Sequence, residues 1–293
     1  MMQKTIYALG FFDGVHLGHQ ALLKKCRELA DKYHMRAGVI TFDAHPQALT
    51  LGASPALINA KVDRDALLRH FSMDAPLCLP FDEKLRAMPW AEFLAMLEKE
   101  YGACGFVCGD DFRFGYRGAG NAALLAEFCE AKAYPYAIVP EQTLEGVRIS
   151  STHIRQLLEN GDMETAAKFL GHRHMLSGTV MQGRQIGRTI GVPTANISIP
   201  EGVVVPKLGV YATECLVDGV AHRAVTNIGS RPTVEGHQVR AESWLLDFEG
   251  DLYGRHMTVL FHRFLRPERK FSSLEELKAQ IQIDAAEADN LLR

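Results

Sequence analysis

Two histidines, His16 and His19, stand in a glycine-rich turn near the start of the chain. The stretch GFFDGVHLGH, residues 10–19, follows a short apolar run and leads into a segment with the apolar spacing of a helix. Glycines after a strand let the backbone approach a phosphate closely, and the N-terminus of the next helix offers free N–H groups. Imidazoles at this place can donate hydrogen bonds to phosphoryl oxygens while negative charge grows on them. The turn therefore predicts a site for chemistry on phosphates.

Two further stretches have the residue types of phosphate sites. In ISSTHIR, residues 149–155, hydroxyl groups stand at the start of a helix, and Arg155 suits a bidentate contact with an oxyanion. The stretch GTVMQGRQIGRTIGVPTANI, residues 178–197, has four glycines, at 178, 183, 187 and 191, and is a flexible nest for phosphates, although such a loop is equally typical of a turn in a barrel. Thr194 and Asn196 lie on one side of an extended segment and present the oxygen ligands that Mg²⁺ prefers.

The elements that must position these residues alternate between strand and helix in the first half of the chain. The predicted strands are 5–10, 37–42, 104–109 and 134–140, and the predicted helices are 18–32, 61–71, 89–101 and 122–133. This alternation predicts a doubly wound α/β domain, a parallel sheet with helices on both faces. Ligands of such sheets bind beyond the carboxyl ends of the strands, where the informative loops fall.

The second half has a different pattern of predicted secondary structure. Residues 150–171 read as two short helices split by an Asn-Gly turn, with Ser151 or Thr152 as the first N-cap. Residues 174–264 are short β-rich runs broken by Gly, Pro and Asp-Gly, which predicts an antiparallel β-barrel. A closing helix over 272–292 follows, with Ser273 and Glu276 in capping-box spacing. We therefore predict two domains, 1–172 and 173–293.

The bulk composition bounds the class of protein. The 293 residues carry a net charge of −3, and neither half has an excess of basic residues, which argues against nucleic-acid binding. No apolar run reaches the length of a membrane span, and the N-terminus lacks the apolar stretch of a signal peptide. The 6 cysteines form no C-x-x-C pair and no zinc spacing. These features predict a cytoplasmic protein with reduced thiols.

The turn at 10–19 resembles the signature of the H-x-G-H nucleotidyltransferases, and ISSTHIR resembles their second signature, I-S-S-T-x-I-R. The resemblance implies transfer of a nucleotide's α-phosphate to an acceptor phosphate with release of pyrophosphate. It implies that His16, His19 and Arg155 are catalytic, with Arg155 holding the departing phosphates. The implied ATP-binding residues are Gly10, Phe11, Phe12, Asp13, Gly14, Ser151 and Thr152.

Two loops resemble the acceptor side of one branch of that family, the flavin adenylyltransferases. They are TFDAHP, residues 41–46, and GDDFRFG, residues 109–115. The implied flavin-binding residues are Asp43, His45, Pro46, Gly109, Asp111 and Phe112. Ala44 replaces the family's proline, and Asp82 replaces its asparagine in the segment LPFDEK, so no role is assigned to Asp82. From the sequence alone, Phe112 is also compatible with a core position.

The second half resembles the riboflavin kinases in G-x-P-T-A-N, GVYA, TNIGSRPT and DLYG. The resemblance implies that Glu242, in ESWLLDF, is the general base, with Trp244 at a position where the family has His or Tyr. The implied ATP-binding residues are Gly183, Gly187, Gly191, Pro193, Thr194 and Asn196, and Thr194 and Asn196 would bind the metal. The segment FLRPERKF implies flavin contacts from Arg266 and Glu268, although a solvated run of charges has the same pattern.

In this order the two halves are similar to the bacterial bifunctional riboflavin kinase/FAD synthetases. The implied substrates are ATP, riboflavin and FMN, with Mg²⁺ as cofactor and neither nucleic acid nor membrane as partner. One alternative is a nucleotidyltransferase for another phosphorylated acceptor, whose barrel only binds substrate. The other is a flavin-binding sensor without catalysis. The appearance of FMN from riboflavin and ATP would exclude the first, and any turnover would exclude the second.

Overall fold

A computed structural model describes residues 3–45, 54–71, 73–182, 191–233 and 236–293. The chain divides into two compact units. The N-terminal unit comprises Met1–Pro55 and Arg64–Ser151, and the barrel unit comprises Ala56–Asp63 and Thr152–Arg293. This division by contacts falls after Ser151, whereas the functional boundary between residues 172 and 173 stays a prediction.

The N-terminal unit contains a five-stranded parallel sheet, as the sequence predicts. Its strands are β1 (Thr5–Leu9), β2 (Arg36–Phe42), β3 (Ala75–Leu79), β4 (Ala103–Gly109) and β5 (Tyr136–Val139), in the order β3-β2-β1-β4-β5. The helices are α1 (Leu17–Tyr33), α2 (Lys61–His70, which belongs to this unit from Arg64 onwards), α3 (Glu83–Ala87), α4 (Trp90–Tyr101) and α5 (Ala122–Lys132). A hairpin of β6 (Thr143–Leu144) and β7 (Val147–Arg148) follows β5. The sequence predicted neither β3, α3 nor this hairpin.

The strand order explains where a ligand can bind. Every residue of β1 is buried at the centre of the sheet, and β2 and β4 pair with β1 on opposite sides. The chain winds in one direction from β1 to β3 and in the other from β1 to β5. A crevice opens at the carboxyl ends of the strands where the winding reverses, which is where open α/β sheets bind ligands.

The barrel unit has the antiparallel architecture that the sequence predicts. Its elements are α6 (Ser151–Asn160), α7 (Met163–Leu170), β8 (His174–Thr179), β9 (Ala195–Ser198), β10 (Gly209–Val217), β11 (Val220–Thr233), β12 (Gly236–Leu245), β13 (His256–Arg266) and α8 (Leu274–Leu291). The six strands run in the order β8-β13-β10-β11-β12-β9. An antiparallel bridge between Met181 and Asn196 joins the two ends of this sheet, so the barrel nearly closes.

The helix ends show how side chains fix the boundaries. Ser151 is the first residue of α6 rather than its N-cap, and its Oγ donates to the carbonyl oxygen of Asp13 at 3.0 Å. Thr152 therefore lies inside the helix, so the predicted cap at either residue is wrong. The predicted cap of α8 is confirmed, because Ser273 Oγ accepts from the backbone N–H of Glu276 at 3.2 Å. The Glu276 carboxylate returns to Ser272 rather than to Ser273.

Candidate active sites

The turn that carries the two histidines has an unusual backbone. Phe12 takes left-handed dihedral angles with φ 58°, and Gly14 has φ 80°, in a short 3₁₀ turn before α1. Left-handed geometry favours glycine and costs energy for a side chain such as Phe12, so surrounding contacts must hold the turn. Gln20 supplies one contact, donating from Nε2 to the carbonyl oxygen of Val15 at 2.9 Å.

The two imidazoles lie face to face at the start of α1. His16 is the N-cap of this helix, and its Nδ1 accepts from the backbone N–H of His19 at 3.3 Å. The ring centroids of His16 and His19 are 3.6 Å apart, with 14° between the planes. A Cβ at Gly18 would lie 3.2 Å from two atoms of the His16 ring, which explains the glycine between the histidines. The spacing H-x-G-H thus produces a stacked imidazole pair.

The surroundings keep the His19 imidazole neutral in the free protein. Burial, the His16 ring and the guanidinium of Arg64 together lower the pKa of His19 well below its ordinary value. Its Nδ1 is buried and has no hydrogen-bond partner among the described residues. An unpartnered ring nitrogen of this kind can donate to, or accept from, a group that enters the site.

Carbonyl oxygens of the turn are tied to neighbouring strands and helices. The Phe11 carbonyl oxygen accepts from Thr41 Oγ1 at 2.8 Å and from Arg64 Nη1 at 3.2 Å. Arg64 Nη2 also donates to the carbonyl oxygen of Phe42, the last residue of β2, at 2.8 Å. These bonds anchor the turn to the end of β2, so the positions of His16 and His19 depend on residues far along the chain.

A cavity of about 370 Å³ opens at the carboxyl edge of the parallel sheet. It is lined by the loops after β1, β4 and β5 and by the start of α1. The predicted site residues on its wall are Gly10, Phe11, His16, His19, Gly109, Asp111, Phe112 and Ser151. Arg148 also lines it and pairs with Asp111 at 2.7 Å and with Glu141 at 2.8 Å. The cavity therefore combines imidazoles, a hydroxyl and an ion-paired arginine with aromatic surface.

Other predicted residues of this half lie elsewhere. Phe12, Asp13 and Gly14 are buried within the turn and do not line the cavity. Asp43 Oδ1 accepts from the backbone N–H of Phe81 at 2.8 Å, and the His45 ring meets the Phe11 ring edge-on at 4.7 Å.

The remaining residues predicted for this site fall outside the cavity-bearing unit or outside the described structure. In the barrel unit, Arg155 Nη2 donates to Thr152 Oγ1 at 3.3 Å. Pro46 lies outside the described residues. The structure thus brings together only part of the predicted set.

A row of three polar residues crosses adjacent strands of the barrel. Glu242 on β12 is opposite Asn196 on β9 and opposite Asn227 on β11. Residues directly opposite in antiparallel strands project from the same face of the sheet. The strand register therefore places the predicted base between two asparagines.

Two cavities flank the segment that precedes β9. One, of about 320 Å³, is lined by Glu242, Asn227, Trp244, Arg266 and Glu268 among others. The other, of about 290 Å³, is lined by Pro193, Thr194, Phe248, Asp251 and Tyr253 among others. Thr194 lines both cavities. A hydroxyl shared between two cavities is well placed to contact two bound molecules at once.

The polar wall of the larger barrel cavity is held by specific contacts. Arg266 donates from Nε to Asp284 Oδ1 at 2.9 Å and from Nη2 to Asp284 Oδ2 at 2.7 Å. Asp284 is buried on α8, so this pair fastens the closing helix to β13. Asn227 Nδ2 donates to Glu268 Oε1 at 3.3 Å. A Cβ at Gly229 would lie 2.6 Å from that oxygen, so a larger residue there would require the Glu268 carboxylate to move.

The residues near Thr194 fit a hard cation beside phosphates. Asn196 Oδ1 is buried and has no hydrogen-bond partner among the described residues. A buried, unpartnered amide oxygen costs free energy unless a ligand satisfies it. Across the described ranges, no group of three or more His, Cys, Asp or Glu could hold a metal by itself. Neutral oxygens completed by nucleotide phosphates suit Mg²⁺. Gly191 is described, with φ 79°, whereas Gly183 and Gly187 lie outside the described residues.

Several residues of these sites were missed by sequence reasoning. Arg64 lies inside α2 and Asp284 inside α8, where charged residues usually face solvent, so no local signal marks them. Arg148 directly precedes the ISST stretch, and Asn227 lies within TNIG, so their neighbouring motifs were the available signal.

A stacked histidine pair in the parallel-sheet unit, and a barrel in which Glu242 lines one cavity and Thr194 lines that cavity and a second one, are the features of a nucleotidyltransferase joined to a small-molecule kinase. Residues 1–153 match the family model described as FAD synthetase, and residues 170–292 match that described as riboflavin kinase. This chain belongs to the family of bifunctional riboflavin kinase/FMN adenylyltransferases.

Relatives carrying that name cover nearly the whole chain. The one from Escherichia coli strain K12 is 40% identical, and the match covers 95% of this chain and 90% of the relative. The one from Listeria monocytogenes is 35% identical with the same coverage. A crystal structure described as a macrolide-efflux protein from Streptococcus pneumoniae is similar with a TM-score of 0.87 and 30% identity, covering 98% of this chain and 94% of that one. In the described parts of this chain, no helix is long and apolar enough to cross a membrane.

Proposed function

We propose that the chain makes FAD in two steps at two separate sites. The barrel transfers the γ-phosphate of ATP to riboflavin and releases FMN and ADP. The N-terminal unit joins AMP from a second ATP to FMN and releases FAD and pyrophosphate. The observation that carries this proposal is the presence of two separate centres in one chain: stacked His16 and His19 on one cavity, and Glu242 with Thr194 on another.

In the kinase reaction, the 320 Å³ cavity takes the flavin. Trp244 and Phe271 line this cavity and offer aromatic surface for a planar ring. Glu242 accepts the proton of the terminal ribityl hydroxyl while that oxygen attacks the γ-phosphorus. The bond between the γ-phosphorus and the β,γ-bridging oxygen breaks, and ADP leaves with the electron pair. Arg266 and Glu268 shape the flavin end of the cavity.

The 290 Å³ cavity takes the nucleotide, with Pro193 and Thr194 on its wall. Thr194 and Asn196 would hold Mg²⁺, which supplies neutralisation of phosphate charge when bound. The buried, unpartnered Oδ1 of Asn196 supports this assignment. Because Thr194 lines both cavities, we place phosphoryl transfer at that residue. Nucleotide contacts from Gly183, Gly187 and Gly191 stay a prediction.

In the adenylyltransferase reaction, a phosphate oxygen of FMN attacks the α-phosphorus of ATP. The bond from that phosphorus to the α,β-bridging oxygen breaks, and pyrophosphate leaves. His16 and His19 donate hydrogen bonds to the phosphoryl oxygens, on which charge grows in the transition state. Because little covalent chemistry falls to the protein, positioning supplies most of the rate enhancement.

Ligand contacts at the adenylyltransferase site divide between the acceptor and the phosphates. We assign the acceptor flavin to Gly109, Asp111 and Phe112 and, in the separate segment TFDAHP, to Asp43, His45 and Pro46. Ser151, Thr152 and Arg155 are assigned to the phosphates that become pyrophosphate. The domains that carry the two reactions are proposed to be residues 1–172 and 173–293.

The test is a product assay with the purified chain, riboflavin and ATP, with and without Mg²⁺. Chromatographic separation of the flavins should show FMN first and FAD later, both dependent on Mg²⁺. A parallel reaction supplied with FMN should release one pyrophosphate for each FAD. Unchanged riboflavin in the complete mixture would refute the kinase proposal, and FMN without FAD would refute the adenylyltransferase proposal.

A further inference from the structure

A buried arginine contacts the histidine turn and has no acidic partner among the described residues. Arg64 on α2 is 2% exposed. Its two terminal nitrogens donate to the carbonyl oxygens of Phe11 and Phe42, and its Cζ lies 4.8 Å from the centroid of the Phe11 ring. Its Nε is buried without a hydrogen-bond partner. No ion pair with a carboxylate forms among the described residues.

Such an arrangement is costly for the fold alone. A buried cation that lacks a carboxylate partner loses its hydration without gaining an opposite charge in return. Two carbonyl oxygens and one aromatic face offset only part of that loss. The bonds of Arg64 go to the first residues of the histidine turn and to the end of β2 rather than to distant parts of the core. The contact pattern therefore points to the turn as the reason for the arginine.

The positive charge of Arg64 also reaches the imidazole pair. The titratable and charged groups that act on His19 are His16, on the same turn, and Arg64, on α2, and both lower the pKa of His19. Phe11, which Arg64 contacts, lines the same cavity as both histidines. A fixed cation at this place is complementary to the polyanion that the adenylyltransferase binds.

We propose that Arg64 is a positioning residue of adenylyl transfer, which fixes the histidine turn through Phe11 and Phe42 and supplies a positive charge behind the imidazoles. This inference rests on the proposed roles of His16 and His19. When ATP binds, its phosphates provide the negative charge that Arg64 lacks in the free protein. The residue touches neither substrate nor reacting atoms and acts through the turn.

Three variants separate the hydrogen bonds from the charge. Arg64→Met removes both, whereas Arg64→Lys keeps a charge but cannot reproduce the two-pronged contact with Phe11 and Phe42. Thr41→Val is the matched control, because it removes the other donor to the Phe11 carbonyl oxygen and leaves every charge in place. Circular dichroism and the melting temperature report whether each variant is folded, and the kinase reaction of the same chain reports whether the barrel unit is intact.

We expect Arg64→Met to lower kcat/KM for FAD formation from FMN by about 100-fold, the loss that displacement of a site by roughly 1 Å can cause. Riboflavin phosphorylation should stay at the wild-type rate. Arg64→Lys should fall between the wild type and Arg64→Met, and Thr41→Val should lose less than Arg64→Met.

A titration of the free protein distinguishes this role from simple support of the fold. Proton NMR of the imidazoles, with His19 assigned from a His19→Gln sample, should show a raised His19 pKa in Arg64→Met. The pKa should stay at the wild-type value in Thr41→Val, because that change moves no charge. Loss of packing alone would affect the two variants alike.

Wild-type FAD formation by Arg64→Met would overturn the inference, as would an unchanged His19 pKa in that variant. If Arg64→Met also loses its kinase activity, Arg64→Lys decides: reduced FAD formation at an unchanged melting temperature supports the inference, and full activity refutes it. A wild-type chain that makes FMN but no FAD would instead contradict the proposed function itself. The two failures are therefore distinguishable.

Discussion

His174, at the start of β8, gives the sharpest stability prediction. Its side chain is 1% exposed, and neither ring nitrogen has a hydrogen-bond partner among the described residues. The ring packs against Phe261 with centroids 5.4 Å apart. Burial, with a smaller contribution from His172, lowers the pKa of His174 from 6.5 to about 3. The folded barrel therefore holds a neutral imidazole in an apolar place, and His174→Leu should stabilise it.

The magnitude follows from linkage between protonation and folding. In the unfolded chain His174 binds a proton below about pH 6.5, whereas the folded chain excludes that proton until about pH 3. Stability is therefore fully present above pH 6.5 and is lost as the pH falls, by about 2 kcal/mol at pH 5.0. Removing the two unpartnered nitrogens should add about 1–3 kcal/mol at any pH. The leucine variant should thus gain about 1–3 kcal/mol at pH 7.5 and about 2 kcal/mol more at pH 5.0.

Urea denaturation followed by tryptophan fluorescence measures this difference. The chain has 2 tryptophans, so a Trp90→Phe background leaves Trp244 on β12 as the reporter for the barrel. Histidine and leucine forms are compared in that background at pH 7.5 and pH 5.0. Because all other titrating groups are shared, the double difference isolates His174. An equal gain at both pH values would refute the claim that His174 is held neutral.

Three further predictions concern the sites and the core. Gly18→Ala should push the His16 ring aside and lower FAD formation from FMN at least about 10-fold while the kinase rate is kept, as a coupled flavin assay would show. Asp284→Ala should leave the Arg266 guanidinium without its carboxylate partner and so destabilise the barrel by about 3–5 kcal/mol in urea denaturation. The KM for riboflavin should also rise, and a stable variant with wild-type KM would contradict the role of this pair. Burial raises the pKa of Cys26, Cys108, Cys129 and Cys215 to about 12, so Ellman's reagent at pH 8 should leave these four thiols unlabelled until urea is added, and rapid labelling of native protein would count against their burial.

The overall fold was readable from the sequence because its signals are local. Alternating apolar strands and periodic helices predicted the parallel sheet, and short β-rich runs predicted the barrel. The strand β3 was missed because Pro76 lies within its five residues and Pro80 directly follows them, and proline argues against a strand in a sequence. The N-cap of α6 was misplaced because Ser150, Ser151 and Thr152 are all good caps, and in the structure the Ser151 hydroxyl is bonded to Asp13 instead.

The candidate sites were readable only where their residues are close in sequence. The spacing of His16, Gly18 and His19 fixes a stacked pair within one helical turn, and it is visible in ten residues. The support for that pair is not local, since Arg64 is separated from Phe11 by 53 residues. Likewise, Asn227 contacts Glu268 across 41 residues. Contacts of this range depend on which strands become neighbours, and no spacing rule in a single sequence encodes that choice.

The independence of the two centres is tested most directly with two variants, each of which disables one centre and leaves the other unchanged. His16→Ala and Glu242→Gln are each incubated with ATP and Mg²⁺, once with riboflavin and once with FMN, and the flavins are separated. His16→Ala should convert riboflavin to FMN and stop there, whereas Glu242→Gln should leave riboflavin unchanged and still convert FMN to FAD. A folded variant of either kind that loses both conversions would contradict the account.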